Sequence, residues 1–356
     1  MAVPLYVAFT MDCERIAAES PPGGPESWEL SERAIRGYCE RLLDRGYKPT
    51  LFLMPECARQ HVDLLGKLAE RGVELGLHVH PQSLGDHRYQ RYLGEYSADM
   101  QREILALATE MLEQAIGTRP VSFRPGNFSA SDATYSVLYG LGFRQGSVSD
   151  PGRRVPRFAA VWEGACPDPH YVDPTDKLRA GNLPFLEMPL TTDPDRRHPN
   201  GFPYELRIES GPFETWHRPI IEKRLQRLKR ERAGLSRSKI APRGSPAHTV
   251  QPRPGFGYRT HSVRDRTRSV HDRTRSVHGD PEQPTPDSPG LQVGALCIFT
   301  HNCYPYDQAK NPRSVTLQRM LDYLACLACA ENVCPVTLQG AHAHNSQQIW
   351  PQIHLG

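Results

Sequence analysis

The strongest constraint on this chain is the rhythm of its first 148 residues, where five short runs of β-forming apolar residues alternate with four stretches of helical periodicity. Parallel strands need a crossover of a dozen or more residues, usually a helix, so this alternation predicts an α/β fold built on a parallel sheet or barrel. The expected strands are Leu5–Thr10, Thr50–Met54, Val73–Val79, Val121–Arg124 and Phe143–Val148. Between them, Ala34, Ile35, Tyr38, Leu42 and Leu43 share one helical face behind a Ser31 cap. Val62, Leu64, Leu65 and Leu68 share another, a third helix runs from Ser97 to Ile116 and stops at Gly117, and a fourth covers Ser131–Leu141.

Residues 149–184 read as long Pro-, Gly- and Asp-rich loops, followed by a strand at Phe185–Thr191. Apolar periodicity then lapses from Lys223 to Gly290, where the heptapeptide DRTRSVH at Asp265–His271 is copied at Asp272–His278. This stretch reads as a disordered insertion. Strand Val293–Thr300, a helix from Ser314 to Ala330 and strand Cys334–Leu338 resume the pattern. The expected organisation is one barrel formed by 1–222 and 291–340, interrupted by 223–290 and ended by a tail, 341–356.

Composition narrows the class. Apolar residues make up 38% of the 356, enough for a real core, so global disorder and a disulfide mini-scaffold are excluded. No run approaches the roughly 18 apolar residues of a membrane helix, and the N-terminus enters its first strand without a basic leader. Nine scattered Cys suggest reduced thiols, and the expected compartment is the cytoplasm. Glu222 to His278 hold sixteen Lys and Arg against four acids, so the rest of the chain is acidic despite a net charge of +3.

Strand ends in a barrel aim their loops at one face, so polar residues there are the first candidates for chemistry. The first strand leads into Asp12-Cys13-Glu14, the third into His78-Val79-His80, the fourth into Arg124-Pro125-Gly126-Asn127, and the late strand into Thr300-His301-Asn302. Residues i and i+2 of an extended segment point to one side, about 6.6 Å apart along it. His78 with His80, and Asp12 with Glu14, are therefore same-side pairs. Two imidazoles and a carboxylate suit a catalytic divalent ion, and leave a second carboxylate as base. Taken singly, Asp-x-Glu is more often a cap, and a lone His301 a core histidine.

In that joint order the sequence resembles the polysaccharide deacetylase, or NodB-homology, superfamily, the carbohydrate esterase family 4-like hydrolases. The resemblance implies a distorted (β/α)7 barrel and a divalent metal, commonly zinc, for hydrolysing N- or O-acetyl groups of carbohydrates. In FTMDCE it implies Asp12 as base and Glu14 as metal ligand, with Cys13 where the second acid usually stands. In LHVHPQ the family's His pair, four apart, falls on His78 and Gln82, and since Gln82 is a poor zinc ligand the metal is assigned to His78 and His80. Arg124 would orient Asp12, Asn127 would take the oxyanion position, and His301 would be the general acid. The motif that orients this histidine has no clear match, Asp173, Asp176, Trp162 and Trp216 being the nearby candidates.

Two other readings stand beside it: a metal-free, allantoinase-like amide hydrolase, and an inactive barrel whose basic segment holds an acidic partner. The basic stretch offers nucleic-acid attraction, yet few aromatics interleave for stacking, so nucleic acid is the weaker partner and a carbohydrate or small amide the favoured one. Cys326-x-x-Cys329 with Cys334 lacks a second CxxC and reads as helix packing, and His342 and His344 as surface residues.

Overall fold

The computed structural model describes residues 4–19, 23–232 and 293–349. The chain divides into two compact units, 1–229 with 288–356, and 230–287. The second, with the tandem heptapeptide and most of the expected insertion, lies almost wholly outside the described residues.

The first unit is a curled sheet of nine strands: β1 Leu5–Cys13, β2 Thr50–Leu53, β3 Glu74–Val79, β4 Ser122–Pro125, β5 Gln145–Gly146, β6 His170–Val172, β7 Leu183–Glu187, β8 Gly294–His301 and β9 Val333–Pro335. Seven run parallel in the order β8-β1-β2-β3-β4-β5-β7. The edge strand β6 is antiparallel, and β9 adds to the start of β1. The seam between β7 and β8 is irregular: Thr191 N–H donates to Cys297 O (3.1 Å) and Arg207 bridges Phe299. This is the expected distorted seven-stranded α/β barrel, with helices α1 Trp28–Leu43, α2 Pro55–Gln60, α3 Val62–Glu70, α4 Ala98–Ile116, α5 Thr134–Gly140, α6 Arg218–Arg232, α7 Pro312–Ala328 and α8 Leu338–Ile349 around and beneath it.

The two-residue period of β1 sorts its side chains. Leu5, Val7, Phe9, Met11 and Cys13 enter the core shared with the helices, whereas Tyr6 and Ala8 join Phe52, Leu186, Ala295 and Cys297 inside the barrel. The same alternation carries inward through Thr10 to Asp12 at the strand's C-terminal end.

Several expectations need correction. Ser27, not Ser31, caps α1, its Oγ accepting from Leu30 N–H (3.2 Å). Ser31 is buried inside the helix, bonded to His61 and Asn302. The insertion does not begin at 223, because α6 continues to Arg232 and buries Ile220, Ile221, Leu225 and Leu228. Its Arg224 and Arg227 both donate to Asp168. Nor is 341–349 a tail: α8 closes the barrel floor with Leu338 and Ala341. Its first N–H groups donate to Thr50 Oγ1 (3.2 Å) and Glu74 Oε2 (3.0 Å), satisfying a helix end that would otherwise be orphaned. His342 is half-buried, bonded to Arg144 O (2.8 Å), rather than a free surface residue.

All nine cysteines are free thiols. Among the described residues no helix is long and apolar enough to cross a membrane.

Candidate active site

Parallel register sets the site. Asp12 pairs with His301 across β1 and β8, and His78 with Arg124 across β3 and β4, so four strand ends meet at one rim. A cavity of about 670 Å³ opens there, and Asp12, Glu14, His78, His80, Asn127 and His301 all line it. Gln82 lines it too. Cys13 points the other way, into the helix-facing core, because it is out of phase with Asp12 and Glu14.

Glu14, His78 and His80 bring one ligand atom each to within 4.8 Å of one another, the only such group of three found among the described residues. Glu14 Oε1 lies 3.2 Å from His78 Nε2 and 3.1 Å from His80 Nε2. Tetrahedral bonds of 2.0–2.1 Å to zinc would space ligand atoms by about 3.3 Å, so this donor set fits such an ion. His78 Nδ1–H donates to Arg124 O (2.9 Å), which leaves Nε2 facing Glu14 Oε1, a donor to it when the imidazole is protonated and a free ligand nitrogen when it is neutral. Asn302 holds the acid by its backbone, its Oδ1 accepting from Glu14 N–H (2.9 Å) and its Nδ2 donating to Glu14 O (3.1 Å). Burial works against charge on Glu14, but His80 and His78 outweigh it and hold the carboxyl well below its usual range. Cys326 sits exposed on α7 and Cys329 exposed at its C-terminal cap.

Gly126, in the turn after β4, is required by His80. A Cβ there would stand 2.4 Å from the imidazole Nδ1. Gly126→Ala is therefore expected to push the ring off Glu14, costing about 1–3 kcal/mol as an overpacking change and weakening zinc uptake. Thermal melts and a zinc titration check both. The next residue, Asn127, takes a left-handed conformation, φ 56°, which Asn tolerates better than most side chains.

Beside the cluster, Arg124 Nη1 donates to Asp12 Oδ1 at 2.7 Å, with both side chains almost wholly buried. The guanidinium also donates to Ser147 Oγ (2.9 Å) and lies over the Phe52 ring at 4.4 Å. Burial pushes the Asp12 carboxyl up, but Arg124, His78 and His301 outweigh it and keep it below the usual range.

His301 has the orienting partner that motif reading missed. Its Nδ1 donates to Glu209 Oε1 (2.5 Å), while Glu209 Oε2 accepts from Thr300 Oγ1 (2.8 Å). Glu209 sits in the turn Ile208–Ser210, off any strand end. Burial alone would lower the His301 pKa, and Glu209 outweighs it, so the imidazole titrates above its ordinary range. The four residues considered for this role lie elsewhere. Asp173 caps its own loop at Thr175, Asp176 pairs with Arg179, Trp162 donates to Phe128 O (2.8 Å), and Trp216 stacks on Tyr204.

Residues 32–146 match the polysaccharide deacetylase family model, a segment that holds β2 to β5 with His78, His80 and Arg124 but not Asp12, Glu14 or His301. No curated protein matches the chain. Among solved structures, a putative polysaccharide deacetylase from Mycobacterium smegmatis is 15% identical, with a TM-score of 0.53 over 100% of this chain and 95% of its own. The Puue allantoinase is 14% identical, with a TM-score of 0.54 over 98% and 92%. At such identities the likeness is one of fold. The resemblance to the polysaccharide deacetylase superfamily that the strand-end motifs implied therefore holds, in the matched segment and in the architecture of the barrel around it.

Proposed function

We propose that this chain is a metal-assisted hydrolase that removes an N-acyl group from a carbohydrate or a related small amide. The observation that carries the reading is the meeting, in one cavity, of the Glu14–His78–His80 donor set with two separately tuned proton carriers, Asp12 and His301. A divalent ion held there, zinc suiting the donors best, would polarise the scissile carbonyl and bring the pKa of a bound water toward about 7.

The protein's own groups divide the proton work. Asp12, kept ionised by Arg124, takes a proton from the attacking water as its oxygen bonds to the carbonyl carbon. The turn carrying Asn127 is left to hold the developing oxyanion through backbone N–H. His301, oriented by Glu209, donates a proton to the leaving nitrogen as the C–N bond breaks, giving an amine and a carboxylic acid. Tyr92, Phe128, Phe158, Phe202 and Phe299 wall the cavity, whose volume of about 670 Å³ lies in the range of small-molecule sites.

The test is acid release from N-acetylated sugars and small cyclic or linear amides by zinc-loaded protein. His301→Ala is expected to lower kcat by about 10²–10⁴-fold. Because His301 must be protonated to act as acid, its raised pKa extends activity to higher pH, and Glu209→Gln should move the alkaline limb of the profile downward. Turnover that survives without metal would favour the allantoinase-like reading, and no turnover with any amide the binding-barrel one.

A further inference from the structure

Two arginines line the cavity without a part in the reaction just described. Arg153, in the loop after β5, is almost fully buried, and Arg207, just before the Glu209 turn, has a quarter of its side chain exposed. Each is paired once: Arg153 Nη1 donates to Asp150 Oδ2 (3.1 Å), and Arg207 Nε lies 2.7 Å from Glu205 Oε1. Those pairs leave capacity unused. Arg153 Nε, Asp150 Oδ1 and Glu205 Oε2 are all buried without a hydrogen-bond partner, and the terminal nitrogens of Arg207 make no hydrogen bond among the described residues.

Both heads are held by rings, Arg153 over Phe202 at 4.2 Å and Phe128 at 5.3 Å, Arg207 over Phe299 at 4.6 Å. They are thus set in place before any ligand arrives, which lowers the ordering cost of binding. Burial first, and then the neighbouring Glu205, push the Asp150 carboxyl well above its usual range against the pull of Arg153 and Arg207, as expected when two carboxylates share a buried site. Both guanidiniums stay charged, Arg207 facing Glu205, Glu209, Asp150 and Asp12. Planar forks of this kind are suited to a carboxylate.

We propose that the substrate carries a carboxylate beside its acyl-amide, taken up by Arg207 and Arg153 while the amide lies at the Glu14–His78–His80 cluster. This rests on the metal-assisted reading for the amide's position, and on the two arginines alone for the anion.

The probes are N-acetylglycine and its neutral isostere N-acetylglycinamide, titrated calorimetrically into chelator-treated protein so that the carboxylate has no zinc to bind. The carboxylate is expected to bind about tenfold more tightly or better, with the preference lost in Arg207→Gln and partly kept in Arg207→Lys. Arg207 carries the test because it reaches the cavity surface, whereas removal of the buried Arg153 threatens folding; circular dichroism checks each variant. Equal affinities, no binding of either compound, or a preference that survives Arg207→Gln overturns the inference. A parallel zinc titration separates the two ideas. Zinc uptake without carboxylate preference removes the anion site and leaves the metal reading, while carboxylate preference in a protein that takes up no zinc does the reverse.

Discussion

Wild-type protein is expected to take up about one equivalent of zinc, and the His78→Ala/His80→Ala variant to take up none while losing all measurable deacylation. The two imidazoles supply two of the three protein donors, and the carboxylate left behind cannot form a closed set with neighbours that are otherwise engaged: Asp12 is held by Arg124 and His301 by Glu209. The variant also removes the groups that offset the burial of Glu14, so some stability is lost with the metal, and Glu14→Gln supplies a control that keeps both histidines and removes the charge. Elemental analysis and circular dichroism on the three proteins decide the matter. Zinc retained at full stoichiometry by a folded double variant would mean that these residues are not the ligands, and the proposed reaction would have to be withdrawn.

What the sequence made legible follows from which signals are local. Asp12, Glu14, His78, His80, Arg124 and His301 could be found because each stands at the end of a strand whose apolar period is visible, and because parallel strands bring such ends to one rim. Glu209 had no such signal. It lies in a short turn after the irregular hairpin of Thr192–Arg197 with Pro203–Glu205, and the closure of β8 against that segment, through the Arg207–Phe299 bridge, brings it to His301. Arg153 and Arg207 were hidden for the same reason, in loops whose paths local pattern does not fix. Helix α6 was lost at Lys223 because Arg and Lys crowd its exposed face, although Ile220, Ile221, Leu225 and Leu228 mark a buried one. In α8 the apolar anchors are few, and its first N–H groups are satisfied by Thr50 and Glu74, 288 and 265 positions away in sequence.

Arg124→Met is expected to be the most destabilising single change at the site, by about 3–5 kcal/mol, because it removes one partner of a buried ion pair and strands the other. The side chains of Arg124 and Asp12 are 0% and 5% exposed, so water cannot replace the lost contact and solvent screening gives little discount. Without Arg124, burial, which already pushes the Asp12 carboxyl up, is opposed only by His78 and His301, and a carboxyl that holds its proton is no base. Activity should therefore fall by about 10²–10⁴-fold even at temperatures where the variant stays folded. The second substitution separates the two effects. Adding Asp12→Asn removes the stranded charge, so the Arg124→Met/Asp12→Asn protein should regain much of the lost stability in urea unfolding while remaining inactive. If the double variant is instead as unstable as the sum of the two singles, Arg124 is holding the barrel through Ser147 and the Phe52 ring, and its pairing with Asp12 contributes little to the fold.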